Sequence, residues 1–190
     1  MKAVITEAAV AKTNKDQGKS LKIQIRWMIR RDMPLVFEID EKSSPHPWSE
    51  EDFSRQLRRR NCIGMVAEHN NQIVGFMIYE LHKASLHVLN FAVHPAVRHR
   101  RVGQQMIAKL VDKLSQQRRE RIDLLVRESN LSSQFFLKAM GFRAVKVLRG
   151  YWDDSGEDAY QMRYSLSEEK SPLQFTNRIS KYFGDAPQVS

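Results

Sequence analysis

An apolar strand, a basic loop and an amphipathic helix follow one another over residues 90–114. The apolar segment 90–93 ends at His94-Pro95, because proline has no backbone N–H to donate to a neighbouring strand. After the loop, apolar residues recur at the spacing of one buried helix face. They are Val102, Met106, Ile107, Leu110, Val111 and Leu114. With the next apolar segment, 122–126, this unit predicts a right-handed crossover between two parallel strands.

The basic loop lies where this helix begins. A helix start carries unpaired backbone N–H groups and the positive end of the helix dipole, so it attracts anions. Arg98, Arg100 and Arg101 add charge, and Gly103 offers a position without Cβ that a phosphate can approach. The pattern indicates a site for a phosphate group such as a pyrophosphate. The alternative is a solvated arginine cluster on a surface helix, which basic runs commonly form.

The composition is that of one ordinary globular domain. With 190 residues, 42% of them hydrophobic, the chain can bury a sizeable core but is short for two domains. Its single cysteine, Cys62, excludes an internal disulfide and a cysteine metal site. The formal net charge of +9 indicates acidic partners, either a polyphosphate ligand or an assembly that contains nucleic acid.

The sequence also bears on location. No apolar run approaches the roughly 20 residues needed to cross a bilayer. The N-terminus lacks the apolar core of a signal peptide. We therefore expect a cytoplasmic protein that does not enter a membrane.

The chain divides into three parts. Residues 1–20 are polar and basic without periodicity, which predicts a disordered extension. Residues 21–166 hold the folded domain, and residues 167–190 form a tail that either docks as a short amphipathic helix or stays partly disordered. The element order predicted for the domain is β, α, α, β, β, β, α, β, α, β, β. That order predicts an α/β fold in which helices cover both faces of a mixed sheet.

Local signals predict where several elements begin. Alternating apolar residues predict a first strand over residues 21–27. Asp32 is suited to cap the helix that follows, and Ser49 with Asp52 resembles a capping box that opens another. The asparagines in the segment 69–72 tolerate left-handed backbone and predict the turn of a hairpin.

Four segments resemble one known family. They are Phe91-Ala92-Val93-His94-Pro95, Arg98-His99-Arg100-Arg101-Val102-Gly103, Arg127-Glu128-Ser129-Asn130 and Met140-Gly141-Phe142. In this element order they look like the GNAT superfamily of acetyl-CoA-dependent N-acetyltransferases. The resemblance covers about residues 21–166 and is closest to the bacterial ribosomal-protein alanine N-acetyltransferases. Pro47-Trp48-Ser49 and Glu157-Asp158-Ala159 favour this branch, which acts on protein N-termini.

The resemblance implies a site for acetyl-CoA as co-substrate. The backbone of Phe91, Ala92 and Val93 would face the pantetheine and the thioester, while the Phe91 and Val93 side chains suit core positions in any case. Asn130 would contact the pantetheine arm, cap the next helix, or do both. The loop would wrap the pyrophosphate with Arg98, His99, Arg100, Arg101, Val102, Gly103 and Gln104. At Arg101 the chain departs from the family, which has a glycine or another small residue there.

The family's usual proton carriers are missing. The resemblance places its glutamate base at Leu125 and its tyrosine acid at Leu137, and neither leucine can move a proton. Tyr151 and Glu41 are the candidate substitutes, although Glu41 also suits a plain surface position. His87, a lone histidine on a strand, suits a packed or surface position better than a catalytic one.

Three aromatic residues are candidate contacts for the acceptor. Trp48, Tyr151 and Trp152 would line a peptide groove, with Tyr151 acting either as an acid or as a contact. Trp48 has an alternative role as a hydrophobic staple in front of a helix.

The sequence and the resemblance together predict an N-acetyltransferase that modifies the N-terminal α-amine of a protein, for example a ribosomal protein. An α-amine with a pKa near 8 is partly neutral at pH 7, so it needs a base less than a lysine with a pKa near 10.4. The alternatives are an acetyltransferase for a small amine, polyamine or lysine, and a catalytically quiet acetyl-CoA-binding or ribosome-binding module. The six histidines are scattered without the spacing of metal ligands, so no metal is expected. The oligomeric state is not indicated.

Overall fold

A computed structural model describes residues 20–116 and 119–166, and all structural statements below refer to these ranges. Nearly all of the predicted extension over residues 1–20 and the predicted tail over residues 167–190 lie outside them. Within the described ranges the chain forms seven strands, four α-helices and two short 3-10 turns. No helix there is long and apolar enough to cross a membrane.

The elements follow one another in the predicted order. They are β1 (Gln24–Trp27), α1 (Met33–Ser43), α2 (Glu50–Leu57), β2 (Cys62–His69), β3 (Gln72–Leu81), β4 (Ser85–Val93), α3 (Val102–Gln116), β5 (Arg121–Arg127), α4 (Leu131–Ala139), β6 (Arg143–Leu148) and β7 (Ala159–Ser165). The 3-10 turns, Arg30–Asp32 and Pro95–Val97, precede α1 and follow β4.

The first strand begins at Gln24, later than predicted, because Leu21 bonds to the loop before α3 instead. The Leu21 N–H donates to the Arg100 carbonyl at 3.1 Å. The Leu21 carbonyl accepts from Gln105 Nε2 at 2.7 Å. Both hydrogen bonds fasten the chain ahead of β1 to the start of α3.

The seven strands form one mixed sheet in the order β1-β2-β3-β4-β5-β7-β6. Neighbouring strands are antiparallel except β4 and β5, which are parallel and connected through α3. The predicted α/β fold and the predicted crossover between parallel strands are confirmed.

Two apolar clusters cover the two faces of the sheet. On one face, Val36 of α1 and Phe53 of α2 pack with Phe76 and Ile78 of β3. α1 and α2 lie over β2, β3 and β4, so this face of β5 and β7 has no covering helix in the described residues. On the other face, α3 and α4 contribute Met106, Ile107, Leu110, Leu114 and Leu137 to the core.

A bulge in β4 separates this strand from β5. Neighbouring residues of β3 pair with Val88 and Asn90, so Leu89 is an extra residue. β4 pairs with β5 only as far as Val88, which lies opposite Leu124. Beyond that point, the described part of β5 pairs with β7 alone. Because a bulge bends and twists its strand, the sheet opens between its two central strands.

The start of α2 has the predicted capping box. Ser49 Oγ accepts from the Asp52 N–H, and the Asp52 carboxylate accepts from the Ser49 N–H. Trp48 packs edge-on against Phe53 with ring centroids 5.3 Å apart, which is the hydrophobic staple given as the alternative for Trp48.

Two other predicted signals have different outcomes. Asn70 and Asn71 form the hairpin turn with left-handed φ angles of 49° and 62°, as predicted. Asp32 does precede α1, but its side chain makes no cap bond to the helix. Its carboxylate instead pairs with Arg26 of β1 at 2.7 Å and accepts from the Ile29 N–H at 2.9 Å.

Replacing Ser49 by alanine removes the side-chain acceptor at the start of α2. We expect Ser49→Ala to lower the free energy of unfolding by about 1 kcal/mol. Urea denaturation followed by circular dichroism measures this change. Ser54→Ala alters an exposed residue in the middle of the same helix and is the control, with an expected change below about 0.5 kcal/mol. Equal effects of the two substitutions would contradict the role of the cap.

Candidate active site

The gap between β4 and β5 is the centre of the candidate site. Residues 89–93 of β4 and residues 125–127 of β5 line its two sides. Among the described residues, β4 beyond Val88 has no strand partner on the β5 side. Backbone groups along such an edge need hydrogen-bond partners, and the Val93 carbonyl already has them in Arg98 Nε and Ser43 Oγ. An extended ligand with amide groups of its own can therefore bind there.

Gly103, in the first turn of α3, lies next to this gap. A Cβ at this position would be 3.1 Å from Phe136 of α4 and 3.4 Å from Phe91 of β4. The rings of Phe91 and Phe136 pack together with centroids 6.2 Å apart. Without a side chain at Gly103, α3 can begin directly beside the end of β4.

The loop before α3 has a defined shape. His94 Nδ1 accepts from the Ala96 N–H at 3.2 Å. His99 and Arg101 have left-handed φ angles of 62° and 61°. This conformation costs a residue other than glycine roughly 1 kcal/mol or more, so glycine suits position 101 best. The Arg101 side chain is exposed, so its bulk extends into solvent.

The same loop surrounds the start of α3 with positive charge. Arg98, His99 and Arg101 are exposed there. Arg98 Nε donates to the Val93 carbonyl at 3.3 Å, and Ser43 Oγ of α1 donates to the same carbonyl at 3.3 Å. Of the other predicted cofactor residues, Ala92 and Val102 are buried, Phe91, Val93, Arg100 and Gly103 are half-buried, and Gln104 is exposed.

Asn130 lies at the N-terminus of α4, across the gap from the loop. Its Oδ1 accepts from the Ser133 N–H at 3.0 Å, so the side chain caps the helix. This is one of the two roles that the sequence left open. Contact with a cofactor stays a prediction.

The two leucines at the positions of the family's proton carriers differ in burial. Leu137 is only 1% exposed and belongs to the core beneath α4. Leu125 is half-buried on β5, between Asp123 and Arg127 on the same face of the strand. A substrate in the gap can therefore approach position 125 but not position 137.

Arg127 organises the loop between β6 and β7. Its guanidinium donates to Asp154 at 2.6 Å, to Ser155 Oγ at 2.9 Å and to Glu157 at 3.1 Å. It also lies 4.3 Å above the ring of Trp152. Arg127 lowers the pKa of the Asp154 carboxyl, and the Glu157 carboxyl has a lowered pKa because Ser129 and then Arg127 donate to it.

Two loops meet over the open face of the sheet. His46, between α1 and α2, lies 3.0 Å from the Asp154 carboxylate of the β6–β7 loop. Tyr151 of that loop is 47% exposed and packs edge-on against Trp152 at 5.1 Å. Tyr151 and Trp152 thus form a wall beside the gap, which is consistent with their predicted contact with an acceptor.

The loop between α1 and α2 is tied to β4 through a buried carboxylate. Asp40 of α1 is 2% exposed and accepts from the Trp48 N–H at 2.8 Å and from Asn90 Nδ2 at 3.1 Å. Burial raises the pKa of Asp40. With its backbone held by Asp40 and its ring on Phe53, Trp48 supports this loop, and a contact with the acceptor stays a prediction.

The structure gives no support to Glu41 as a base. Val36, Ile39 and Asp40 mark the buried face of α1. Glu41 is exposed on the opposite side of the helix, because each residue advances by about 100°.

A cluster of polar residues at the other end of β4 was not predicted from the sequence. The ligand atoms of Glu80, His82 and His87 lie within 4.8 Å of one another, a grouping able to hold a metal ion. The grouping joins residues of two strands, so spacing along the chain did not indicate it, and the expectation that no metal is needed stays a prediction. However, Arg59 already pairs with the Glu80 carboxylate, so the charge that would attract a cation is neutralised.

Sequence reasoning assigned no individual role to Arg127, Asp40 or Asp123. The contacts of Arg127 could have been predicted, because a basic residue ends this strand and the segment 153–158, later in the chain, is rich in acidic residues. The roles of Asp40 and Asp123 depend on partners about 40 to 50 residues away in the chain, and no local pattern indicates them.

Comparison with known proteins agrees with this geometry. Residues 33–142 match the acetyltransferase (GNAT) family. The chain is 25% identical over 138 residues to the ribosomal protein bS18-alanine N-acetyltransferase of Salmonella typhimurium. The aligned residues cover 72% of this chain and 93% of that protein.

Two solved structures are similar in fold. The crystal structure of the ribosomal-protein-S18-alanine N-acetyltransferase from Escherichia coli has a TM-score of 0.70 and 24% identity, covering 81% of this chain and 100% of that one. Arabidopsis thaliana NAA60 in complex with acetyl-CoA has a TM-score of 0.67 and 18% identity, covering 76% and 100%.

Replacing Arg127 by lysine keeps the charge but removes the planar guanidinium that bonds three loop residues at once. We expect Arg127→Lys to raise amide hydrogen exchange over residues 150–158 by roughly tenfold, measured by mass spectrometry. Arg55→Lys is the matched control, because Arg55 of α2 has Asp52 as its exposed partner. Unchanged exchange over residues 150–158 in Arg127→Lys would contradict this role.

Proposed function

Because the chain belongs to the acetyltransferase (GNAT) family, we propose that it transfers acetyl from acetyl-CoA to the N-terminal α-amine of a protein. The observation that carries the proposal is the gap between β4 and β5, which opens beside the cationic start of α3. A donor site needs a strand edge for the pantetheine and a helix start for the pyrophosphate. The unpaired end of β4 and the start of α3 are adjacent and would supply these two parts.

The donor would lie along the β4 side of the gap. Its pantetheine amides would pair with the backbone of Phe91, Ala92 and Val93, which have no strand partner on this side among the described residues. Its pyrophosphate would bind at the start of α3, among the loop residues Arg98, His99, Arg100, Arg101, Val102, Gly103 and Gln104. Asn130, at the N-terminus of α4, would contact the pantetheine arm.

The acceptor would enter from the open face of the sheet. Tyr151 and Trp152 form one wall there, and the loop that Asp40 fastens to β4 forms the other. A polyamine or lysine acceptor would be favoured by acidic groups with unneutralised charge. The acidic groups of this wall, Asp154 and Glu157, are already bonded to Arg127, so the groove favours a peptide.

The chemistry is direct attack. The neutral α-amine adds to the thioester carbonyl, and the C–N bond forms as an oxyanion develops on the carbonyl oxygen. Backbone N–H groups at the end of β4 are suited to stabilise this oxyanion. The C–S bond then breaks, the coenzyme A thiolate takes up a proton, and the amine nitrogen loses one. Alignment of the two reactants supplies a large part of the acceleration.

We propose a ribosomal protein with an N-terminal alanine as the acceptor. The support is the name of the Salmonella relative and the net charge of +9, which suits a substrate that is assembled beside RNA. Such a substrate also implies a place in the cytoplasm and contact with the ribosome or its precursors.

The acceptor class is tested with thiol release from acetyl-CoA. We expect turnover with short peptides that begin with a free Ala, Ser or Met, and the highest rate with Ala. Spermidine and an N-terminally blocked lysine peptide should give less than about a tenth of that rate, since the neutral fraction of their amines at pH 7 is far smaller than that of an α-amine. Turnover on spermidine or the lysine peptide alone would replace the proposed acceptor. Binding of acetyl-CoA without turnover on any acceptor, including the bS18 N-terminal peptide, would favour the binding module.

The donor site is tested with Gly103→Glu. The new side chain would meet Phe136 and Phe91 and would place negative charge beside the pyrophosphate, so calorimetry should show no measurable binding of acetyl-CoA. Ala108→Glu adds the same charge at an exposed position of α3 and is the control, with an affinity within about twofold of the parent. A folded Gly103→Glu variant with unchanged affinity would show that the phosphate binds elsewhere.

A further inference from the structure

The hairpin that connects β3 to β4 brings one carboxylate and two imidazoles together. Glu80 of β3 lies directly opposite His87 of β4 in the sheet, and His82 follows Glu80 by two residues. One ligand atom from each of these three side chains lies within 4.8 Å of the other two. None of the three has a role in the proposed function, so the group needs an explanation of its own.

We propose that Glu80, His82 and His87 form a binding site for one divalent transition-metal ion of the zinc type. Two imidazole nitrogens and one carboxylate oxygen are a donor set that binds zinc in proteins, with water as the fourth ligand. The inference concerns metal binding alone, so it does not depend on the proposed acetyl transfer.

Two of the ligand atoms already have nearly the spacing that such an ion needs. Ligand atoms about 2.1 Å from a tetrahedral zinc ion lie roughly 3.4 Å from one another. His82 Nε2 and Glu80 Oε2 are 3.1 Å apart. The rings of His82 and His87 have centroids 4.0 Å apart, and each side chain is 40% exposed. A small rotation of an exposed imidazole therefore completes the set.

The backbone of the hairpin holds these side chains in place. Leu81 pairs in register with Leu86, and the His82 N–H donates to the Ser85 carbonyl at 2.9 Å, which closes the turn. Arg119 Nε donates to the His82 carbonyl at 2.7 Å. Because the backbone is fixed before an ion arrives, little order has to be gained when it binds.

A second layer of contacts orients His87. Its Nε2 lies 3.1 Å from Ser85 Oγ and 3.7 Å from the Asp123 carboxylate. Asp123 is buried, and its carboxylate accepts from Arg163 Nε at 2.7 Å. Histidines that bind metal ions usually have such a carboxylate or hydroxyl beside the ring, which fixes its orientation. Ser85 and Asp123 are therefore positioning residues for this site.

Arg59 decides which ions can bind. It pairs with Glu80 Oε1, whereas His82 lies beside Glu80 Oε2. With its one carboxylate neutralised by Arg59, the cluster does not suit Mg²⁺ or Ca²⁺, which bind through several oxygen ligands. Imidazole nitrogens bind zinc and similar ions through neutral lone pairs, which Arg59 leaves in place. The arginine thus lowers the affinity for every cation but leaves a preference for transition metals.

The test is a titration of the untagged protein, freed of metal with EDTA, with ZnCl₂ in a calorimeter. We expect one ion per chain with a dissociation constant in the micromolar range, and no heat from MgCl₂. His82→Gln and His87→Gln should each weaken the binding of ZnCl₂ by at least about 100-fold, since even a partner of a ligand contributes 10- to 100-fold. His69→Gln is the control, because His69 bonds the Lys22 carbonyl at another hairpin, and its affinity should match the parent.

A second pair of variants tests the role of Arg59. Arg59→Gln removes a positive charge beside the ion, so it should strengthen the binding of ZnCl₂ roughly tenfold. Arg58→Gln removes the same charge from an exposed neighbour and should stay within about twofold of the parent. CoCl₂ reports the geometry, because Co²⁺ in a tetrahedral site absorbs visible light far more strongly than hydrated Co²⁺. This absorption should be present in the parent and missing in His87→Gln.

Three results would overturn the proposal. They are no heat from ZnCl₂ at millimolar concentration, a ZnCl₂ affinity that is unchanged in both His82→Gln and His87→Gln, and an equal loss of affinity in His69→Gln. Weaker binding by Arg59→Gln would overturn the role given to Arg59. Circular dichroism of each variant separates a lost ligand from a lost fold, and none of these outcomes bears on the acetyl transfer.

Discussion

The separation of β4 from β5 after Val88 is the constraint on which the rest of the structure depends. A sheet opened in its middle leaves backbone groups without strand partners. One apolar cluster spans both sides of this opening, since it holds Val88 of β4 together with Ile122 and Val126 of β5. The bulge also changes which residues face α3: Leu86 and Val88 do so before it, and Phe91 and Val93 after it. One extra residue therefore sets both the opening and the orientation of the strand that lines it.

The positive charge of the chain is used in two ways around this gap. At the start of α3, Arg98 and Arg101 are exposed on a loop with strained backbone. On the side proposed for the acceptor, Arg127 and Arg163 are bonded to carboxylates and cross-link strands and loops. The exposed arginines of the loop before α3 thus suit an anionic ligand such as a phosphate.

The sequence was most informative where structure depends on near neighbours. The capping box at Ser49, the asparagine turn and the element order follow from patterns a few residues long, and all are confirmed. The bulge at Leu89 was not predicted, because no glycine or proline marks it. The contacts of Arg127 and the cluster around His87 join strands that are distant in sequence. For the same reason His87 looked like an isolated histidine: its acidic neighbour, Asp123, lies on a different strand.

The two hydrogen bonds of Leu21 have a practical consequence. They fasten the polypeptide ahead of β1 to the loop before α3 and to its first turn, so this part of the chain lies at the rim of the proposed donor site. A bulky tag fused close to Ser20 would therefore crowd the entrance for acetyl-CoA. By the same geometry, a small environment-sensitive fluorophore attached at that residue would report occupancy of the pocket in real time without a change to any residue that lines it.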